Sequence, residues 1–390
     1  MKILIVHNFH QQPGGEDEVF FLESKLLKEH GHHVMEYTEN NECIKTMNPV
    51  RVAFNTIWSF ASKERMSKLL NDFQPDLVHF HNTFPLISPS AYYACVEKKV
   101  PVVMTLHNAR LICPVATLCR MGRPCEDCLH KTPPWPAILH KCYRGSYVQT
   151  TVIVMMLTFY RLLKTWKKHV DIYIASTEFY RKKFIDAGIP SDKIRVKPHF
   201  VEDGGIKKGP RGDYALFIGR FSPEKGILTL LKSWESLKDV PLKIRGDGDL
   251  LDEVKKTIMN KGLGDTIEII GRLSKDRLYD LIKRARFLVV PSEGFYETFG
   301  LVVLDAFACG VPVIASRIGV MTEIVDDGRN GLHFTAGDES DLASKIKYLW
   351  TNFTEAEKMG RCARKDYEEK YSPERNYLLL NEIYESVVKA

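Results

Sequence analysis

Short apolar runs of strand length alternate along this chain with longer stretches whose apolar residues recur at helical spacing. The pattern is clearest between Phe287 and Ser316, where apolar runs at 287–291 and 311–315 lie on either side of a segment of about 20 residues. Within that segment, the stretch from Thr298 to Cys309 has helical periodicity. Because a strand–helix–strand crossover is right-handed and joins parallel strands, the pattern predicts an α/β fold with parallel sheets.

The same alternation begins at the N-terminus and indicates more than one domain. Apolar runs predict further strands at 2–7, 33–38, 76–80 and 101–106. At 390 residues the chain is too long for one ordinary core. Segment 198–212 has the composition of a linker, so we predict an N-terminal domain over 1–199 and a C-terminal domain over 200–370.

Composition narrows the class of protein without naming a function. A hydrophobic content of 44% with 27% charged residues is ordinary for a globular protein. The net charge of +6 favours anionic partners such as nucleotide phosphates or lipid headgroups, but no aromatic-basic pattern indicates nucleic acid. The first residues, MKILIVHNF, are typical of a strand rather than a signal peptide, and no apolar run reaches the ~18 residues of a membrane span. We therefore expect a cytoplasmic protein.

Two groups of residues at predicted strand ends have the chemistry of a phosphate and sugar site. Arg220 and Lys225 lie on either side of a tight turn at a predicted helix start, where two cations and the helix dipole converge. Glu297 and Gly300 lie between the first strand and the helix of the 287–316 segment. Backbone amides at such a helix start favour an anion, and a carboxylate there can accept from sugar hydroxyls. The simpler interpretation is that Glu297 only caps the helix.

The segment that contains Glu297 also resembles a known family. Its string P-S-x-x-x-x-E-x-F-G-L-V-x-L-(E/D)-A-x-A-C-G-x-P-V-I-A is similar to the donor-binding signature of family 4 glycosyltransferases, retaining enzymes of the GT-B fold. The segment Gly219–Gly226 matches that family's G-R-x-x-x-x-K-G. The resemblance implies two Rossmann-like domains with parallel sheets facing across a cleft. It also implies that a C-terminal helix over 371–390 packs back on the first domain.

The resemblance assigns roles to individual residues. Arg220 and Lys225 would bind the donor diphosphate, and Glu297 would bind the hydroxyls of the donor sugar. His107 would contact the transferred sugar or the acceptor, and we favour it over His79 and His81. The other donor-binding residues that the resemblance implies are Gly14, Gly15, Gly246, Gly248, Phe299, Gly300, Leu301 and Asp305. The family has a second Glu, which contacts the ribose, at the position of Asp305. Asp305 keeps the carboxylate, but its side chain is one methylene shorter.

Cysteines are concentrated in one stretch of the first domain. Five of the nine fall within 113–142, among several prolines and shortly after His107. Cys125 and Cys128 form a C-x-x-C pair, and with Cys113 and Cys142 they would make a four-thiolate set for a structural zinc ion, with Cys119, His130 and His140 as substitutes. Plain buried thiols and a redox-active pair are the alternatives.

The stretch from Tyr147 to Tyr160 carries no charge and is followed by Arg161, Lys164, Lys167 and Lys168. Its apolar residues have helical spacing. One interpretation is a helix that covers the sheet. The other is a helix that rests on the inner membrane face with its lysines at the headgroups, which would make the protein peripheral there.

The resemblance implies transfer of a sugar from a UDP- or GDP-linked donor to a hydroxyl of a glycan or lipid-linked acceptor, with retention of configuration. No second carboxylate is assignable as a nucleophile, so attack on the same face as the departing diphosphate is favoured. Asp247-x-Asp249 is only a weak metal motif, and no cofactor is expected for catalysis. A sugar-nucleotide 2-epimerase of the same fold and a non-catalytic binding module are the alternatives.

Overall fold

The computed structural model describes residues 1–12, 14–205 and 212–389. Most strands are short, and many are buried along their full length, as expected where helices cover both faces of a sheet. In chain order the strands are β1 (Lys2–Phe9), β2 (His33–Asn40), β3 (Leu77–Phe80), β4 (Val102–Leu106), β5 (Cys119–Arg120), β6 (Arg123–Pro124), β7 (Ile172–Ala175), β8 (Ile194–Val196), β9 (Ala215–Ile218), β10 (Leu242–Arg245), β11 (Ile267–Ile270), β12 (Phe287–Val290), β13 (Val313–Ser316) and β14 (Gly331–Phe334).

The helices connect successive parallel strands or follow them in pairs. In chain order they are α1 (Gly15–Glu29), α2 (Pro49–Ile57), α3 (Phe60–Phe73), α4 (Ser90–Glu97), α5 (Pro136–Leu139), α6 (Tyr147–Leu162), α7 (Thr165–Lys168), α8 (Glu178–Asp186), α9 (Ile227–Trp234), α10 (Leu251–Asn260), α11 (Lys275–Arg284), α12 (Leu301–Ala308), α13 (Met321–Ile324), α14 (Glu339–Thr351), α15 (Phe353–Asp366) and α16 (Pro373–Val388). Side chains of Ser59, Ser146 and Thr177 accept from backbone amides at the starts of α3, α6 and α8.

Two six-stranded sheets carry the fold, and every pairing within them is parallel. The first has the strand order β2-β1-β3-β4-β7-β8, and the second has the order β11-β10-β9-β12-β13-β14. Strand β12 pairs with β13 in parallel, with Leu288 opposite Val313. The predicted α/β fold class with parallel sheets is therefore confirmed. In each sheet the order reverses next to the first strand, which is where open α/β sheets bind ligands.

The chain divides into two compact units, each with its own core. The first unit contains Met1–Leu118, Cys125–His199 and Asn376–Ala390, and the second contains Cys119–Pro124 and Phe200–Arg375. Within the first unit, Leu380 and Tyr384 of α16 join the core formed by Ile3, Phe20 and neighbouring residues. The core of the second unit is built around β9, β10 and α9, with Trp234 fully buried. Residues 206–211 of the predicted linker lie outside the described ranges.

Two boundaries differ from the sequence-based expectation. The short antiparallel pair β5–β6 falls in the 113–142 loop that we assigned to the first domain, but it clusters with the second unit. The predicted helix 298–309 begins only at Leu301. Gly300 precedes it with φ +86°, a left-handed conformation that cannot continue a right-handed helix, so the loop from β12 extends to this glycine.

Candidate functional site

The second unit gathers its predicted donor-binding residues in loops that follow β9, β10 and β12. Arg220 follows β9 and is exposed, and among the described residues its guanidinium forms no salt bridge. Lys225 ends a short 3-10 turn, Pro223–Lys225, and the left-handed Gly226 then starts α9. The two cations therefore lie at the carboxyl end of a central strand and beside a helix start.

Glycines in the next loop allow these strand ends to pack tightly. The Phe221 amide donates to the Asp247 carbonyl (2.9 Å), and the Leu250 amide donates to the Phe221 carbonyl (3.0 Å). A Cβ on Gly246 would collide with the Gly219 carbonyl and the Phe221 ring, and Gly248 has φ +153°. Gly246 and Gly248 are thus required by the loop that carries Arg220, whatever ligand binds there.

Glu297 does not act only as a helix cap. The residue is 6% exposed, and its carboxylate accepts from Lys225 Nζ (2.5 Å) and from Ser292 Oγ (2.7 Å). The Lys225 ammonium also lies 5.4 Å from the centre of the Phe295 ring. The predicted diphosphate ligand Lys225 and the predicted sugar ligand Glu297 are therefore direct partners in one half-buried ion pair.

The start of α12 carries the remaining predicted donor residues. Phe299 is buried, and its ring meets Tyr371 edge to face at 6.2 Å. Gly300 immediately precedes Leu301, and a Cβ on Gly300 would lie 2.5 Å from the Met321 methyl group. Asp305 lies one turn further along α12 and is partly buried. The start of this helix presents backbone amides near Glu297, as an anion site requires.

In the first unit, the predicted Gly14 and Gly15 form the start of α1. The Asp17 carboxylate accepts from the Gly14 amide (3.0 Å) and also binds His7 Nε2 (2.7 Å). A Cβ added to Gly14 would meet no atom within 4 Å. The glycine at position 14 is therefore not required by packing within the chain, unlike Gly246.

His107 follows β4 and lines a cavity of the first unit together with Asn82, Asn108 and Arg110. Its Nε2 lies 2.9 Å from His81 Nδ1, and its ring stacks on that of His199. Burial lowers the pKa of His107 well below its ordinary value, and nearby His199 lowers it further. His107 is therefore a neutral imidazole at physiological pH.

A carboxylate next to His107 is fixed by two neighbours. Glu16 accepts from Asn108 Nδ2 (2.6 Å) and binds His10 Nε2 (3.0 Å). Burial opposes its ionisation, but the hydrogen bond with His10 and the contact with Asn108 outweigh burial and lower the pKa of Glu16 to about 2. Because Glu16 is the second residue of α1, it links the Gly14–Gly15 turn to the loop after β4.

A buried polar cluster beneath this site was missed by the sequence analysis. Glu23 and Lys197 are fully buried and lie 2.6 Å apart. His79 uses both ring nitrogens, with Tyr384 Oη at 2.7 Å and Thr105 Oγ1 at 2.8 Å, and burial lowers its pKa to about 3. One signal was available, because Glu23 lies four residues after Val19 and so interrupts the apolar stripe of α1.

The four predicted zinc ligands are neighbours in the first unit, but their sulfur atoms do not form a compact set in the part of the chain that the structure describes. No three of Cys113, Cys119, Cys125, Cys128 and Cys142 have sulfur atoms within 4.8 Å of one another, and none of the nine cysteines forms a disulfide. Burial raises the pKa of Cys128 to about 11, and neighbouring Cys113, Cys142 and Cys125 add to this shift. Arg161 also holds the loop by donating to the Lys131 carbonyl (2.6 Å) and the Leu111 carbonyl (3.2 Å).

Helix α6 has one face buried and one exposed. Ile153, Met156 and Leu157 are buried, whereas Val148, Met155 and Leu162 are exposed. Helix α2 packs beside α6 and exposes Val50 and Phe54. Among the helices that the structure describes, none is both long and apolar enough to cross a membrane.

These features define an α/β protein with candidate ligand-binding side chains at the ends of parallel strands, and comparison with known proteins identifies the family. A family model described as "Glycosyl transferases group 1" matches residues 202–366, and one described as "Glycosyltransferase Family 4" matches residues 14–204. An uncharacterized glycosyltransferase of Methanocaldococcus jannaschii is 31% identical over 354 residues, which is 88% of this chain and 84% of the relative. The chain belongs to the glycosyltransferase family, and its fold is the GT-B fold.

Other similar proteins differ in how much they share. A phosphatidyl-myo-inositol mannosyltransferase of Mycobacterium leprae is 28% identical over 218 residues, 53% of this chain and 57% of the relative. The chain spans about half the length of several other curated relatives that it matches. The Anabaena protein Alr3699/HepE, solved in complex with UDP, is similar with a TM-score of 0.71, 17% identity and coverage of 99% of this chain and 100% of that chain. At that identity the likeness shows the fold alone.

Proposed function

We propose that this protein transfers a sugar from a nucleoside diphosphate donor to a hydroxyl group, with retention of configuration. The observation that carries the proposal is the second-unit cluster, in which exposed Arg220 and the Lys225–Glu297 pair lie at the ends of parallel strands. Arg220 and Lys225 supply charge for a departing diphosphate, and the amides at the start of α12 add to it. The Glu297 carboxylate, held by Lys225 and Ser292, is suited to accept from donor sugar hydroxyls and fix the anomeric carbon.

The pairing of Lys225 with Glu297 refines the roles that the resemblance implied. An ammonium that already contacts a carboxylate can bridge it to a phosphate oxygen, so one lysine would orient both ends of the donor. No side chain is assigned as a covalent nucleophile. We therefore propose attack on the same face as the leaving phosphate, which would accept the proton of the acceptor hydroxyl.

The test is turnover of a panel of UDP- and GDP-linked hexoses with and without a lipid extract as acceptor. We expect release of nucleoside diphosphate that depends on the acceptor, and a product with the anomeric configuration of the donor. Release of an epimerised sugar nucleotide without acceptor would instead assign a 2-epimerase. Donor binding without turnover under any acceptor condition would assign a binding module. Inversion of configuration would contradict the retaining mechanism.

We further propose that the acceptor is presented at a membrane surface that the first unit contacts. The exposed face of α6 and its neighbour α2 offers Val50, Phe54, Val148, Met155 and Leu162, and exposed Lys164, Lys167 and Lys168 follow directly. Neither helix contains an acidic residue. Apolar side chains beside lysines match the acyl chains and headgroups of an anionic bilayer.

Vesicle flotation tests the membrane proposal. We expect the protein to float with vesicles of anionic phospholipid and to lose this in the variant Phe54→Ser with Val148→Ser. Met259→Ser, which changes an equally exposed apolar residue of the second unit, is the matched control and should float like the wild type. Equal flotation of all three proteins would contradict this surface.

The structural zinc remains a prediction: Cys113, Cys125 and Cys142 are neighbours of Cys128, but no three of the four sulfur atoms lie within 4.8 Å of one another. Elemental analysis of the purified protein decides it. About one zinc per chain, lost when Cys125 and Cys128 are replaced by Ser, would support the site. A metal-free active protein would make these cysteines plain thiols.

A further inference from the structure

A line of buried polar groups runs from His107 into the interior of the first unit. His107 Nε2 lies 2.9 Å from His81 Nδ1. On the other side of the His81 ring, Nε2 lies 3.5 Å from Glu23 Oε2. Glu23 Oε1 accepts from Lys197 Nζ at 2.6 Å, and Lys197 also donates to Asn376 Oδ1. The line therefore reads His107, His81, Glu23 and Lys197, with every member buried.

The end of this line fixes where the protons lie. Lys197 Nζ lies 2.6 Å from Glu23 Oε1 with both side chains fully buried, which is the geometry of an ion pair in which each charge offsets the cost of burying the other. A carboxylate can only accept hydrogen bonds. A lone pair on His81 Nε2 facing Glu23 Oε2 would be repelled, and neither atom has another hydrogen-bond partner among the described residues. His81 therefore carries its proton on Nε2.

The position of the proton on His81 decides the tautomer of His107. With Nε2 protonated and the ring neutral, His81 Nδ1 is an acceptor. The 2.9 Å contact then requires His107 to donate from its Nε2. Its Nδ1 is left with a lone pair, and in the part of the chain that the structure describes no hydrogen bond uses that atom. A neutral His107 with this tautomer can accept a hydrogen bond from a hydroxyl group through Nδ1.

We propose that Glu23 is a positioning residue that acts through His81 to hold His107 in the Nε2–H tautomer, so that His107 Nδ1 accepts from a sugar hydroxyl. The identity of the hydroxyl ligand rests on the proposed function, but the tautomer does not. The groups that face His107 are consistent with a neutral ring. They are His81, His199, His7 and His79, with Glu16 as the nearest anion that opposes the effect of burial.

A metal ion is the competing interpretation of the inner part of this line. Ligand atoms of Glu23, His79 and His81 lie within 4.8 Å of one another. However, the Lys197 ammonium already neutralises Glu23, and Tyr384 and Thr105 engage both nitrogens of His79. A divalent cation would therefore meet a fixed positive charge and would have to break two hydrogen bonds. These contacts favour the interpretation that Glu23 fixes the tautomers of His81 and His107 over the interpretation that it binds a metal ion.

Nitrogen NMR of the intact protein labelled with ¹⁵N-histidine tests the tautomer directly. Comparison with His107→Asn assigns the His107 signals. We expect a protonated Nε2 and a bare Nδ1 in the wild type at pH 7. A proton on His107 Nδ1 would overturn the proposal. This measurement needs no substrate, so it separates the inference from the proposed glycosyl transfer.

The variant Glu23→Gln should reverse the direction of the hydrogen bonds between residue 23, His81 and His107. Its amide oxygen would accept from Lys197 and its NH₂ group would donate to His81 Nε2, which forces the proton of His81 to Nδ1. His107 would then accept at Nε2 and carry its own proton on Nδ1. We expect the NMR signature to switch and kcat to fall at least about tenfold with little change in the donor KM.

Two further variants separate positioning from stability. Tyr384→Phe removes a buried hydroxyl that binds His79 in the same cluster, so it should perturb folding but leave the His107 tautomer and kcat unchanged. Glu23→Gln combined with Lys197→Met removes both buried charges and guards against a variant that fails to fold. If the Glu23→Gln variant folds but keeps either the His107 tautomer or the kcat of the wild type, Glu23 is not a positioning residue.

Discussion

The two units place their polar chemistry in opposite environments. In the first unit the candidate groups are buried imidazoles, with His79, His81, His107 and His199 all at most 5% exposed. In the second unit the candidate groups are Arg220, which is exposed, and Lys225, which is partly exposed. Twelve of the thirteen histidines belong to the first unit, and the second has only His333.

This difference indicates a division of labour. A buried imidazole kept neutral is suited to directional hydrogen bonding, because its tautomer can be fixed by neighbours. An exposed guanidinium or ammonium is suited to a multiply charged ligand that arrives from water and leaves again. In the proposed reaction, the first kind of group serves the hydroxyls and the second serves the diphosphate.

The largest expected effect is a selective loss of stability of the first unit in mild acid. Burial, aided by Lys197, lowers the pKa of His79 and of His199 to about 3. The unfolded chain binds these protons near pH 6.5 and the folded unit does not, so stability is complete above pH 6.5 and is lost as pH falls toward 3. Hydrogen exchange at pH 7 and pH 5, corrected for intrinsic rates, should show protection lost first in 2–106. Earlier loss in 215–334 would contradict this.

Removal of one partner of a buried ion pair should lower the free energy of unfolding far more than removal of one partner of an exposed ion pair. Lys197→Ala leaves Glu23 as a buried charge and should lower the free energy of unfolding by about 3–5 kcal/mol. Lys243→Ala, which breaks the exposed pair with Glu268 in the second unit, should cost under about 1 kcal/mol. Chemical denaturation of both variants measures the difference, and equal costs would contradict the comparison.

Kinetics should show that Lys225 and Glu297 act as one unit. Lys225→Ala and Glu297→Ala should each lower kcat/KM, with a loss of transition-state stabilisation of about 2 kcal/mol or more, because each removes a charge-assisted contact. The double variant should lose much less than the sum of the two. Additive losses would show that the two side chains act independently.

Asp305→Ala provides a comparison and should mainly raise the donor KM, whereas Glu297→Ala should mainly lower kcat.

Glycine substitutions should have the smallest effects and should differ between the units. Gly246→Ala forces a Cβ against the Gly219 carbonyl and the Phe221 ring, so it should lower the free energy of unfolding by about 1–3 kcal/mol. Gly14→Ala meets no atom within 4 Å and should change it by less than about 0.5 kcal/mol. Thermal unfolding of the two variants checks this contrast. A larger cost at Gly14 would mean that packing, rather than a ligand, requires that glycine.

The sequence predicted those features of the fold that neighbouring residues determine and missed those that depend on distant residues. Strands β12 and β13 were predicted to within two residues because their apolar runs are bounded by polar residues. The start of α12 was predicted three residues too early, because the apolar spacing does not reveal that Gly300 has φ +86° and so lies outside the helix. The pairing of Glu23 with Lys197 joins residues 174 positions apart, and no local pattern encodes it.

The candidate site shows the same limit. The motif predicted Arg220, Lys225 and Glu297, but the direct pair between the last two depends on loops brought together by β9 and β12. The spacing of Cys125 and Cys128 suggested a metal, whereas convergence with Cys113 and Cys142 depends on how the backbone between them folds. Arg161, which the sequence analysis noted only as the start of a basic run, holds this loop through a hydrogen bond to the Lys131 carbonyl.

The central claim is that the second unit binds the diphosphate of a nucleotide donor through Arg220, and titration calorimetry with UDP and GDP tests it most directly. We expect the wild type to bind at least one of the two nucleotides. Arg220→Ala should weaken that affinity about 30-fold, which corresponds to about 2 kcal/mol, while Arg361→Ala, a change at an exposed arginine of α15, should leave it unchanged. Binding of neither nucleotide by the wild type, or equal affinity of the wild type and Arg220→Ala, would contradict the account.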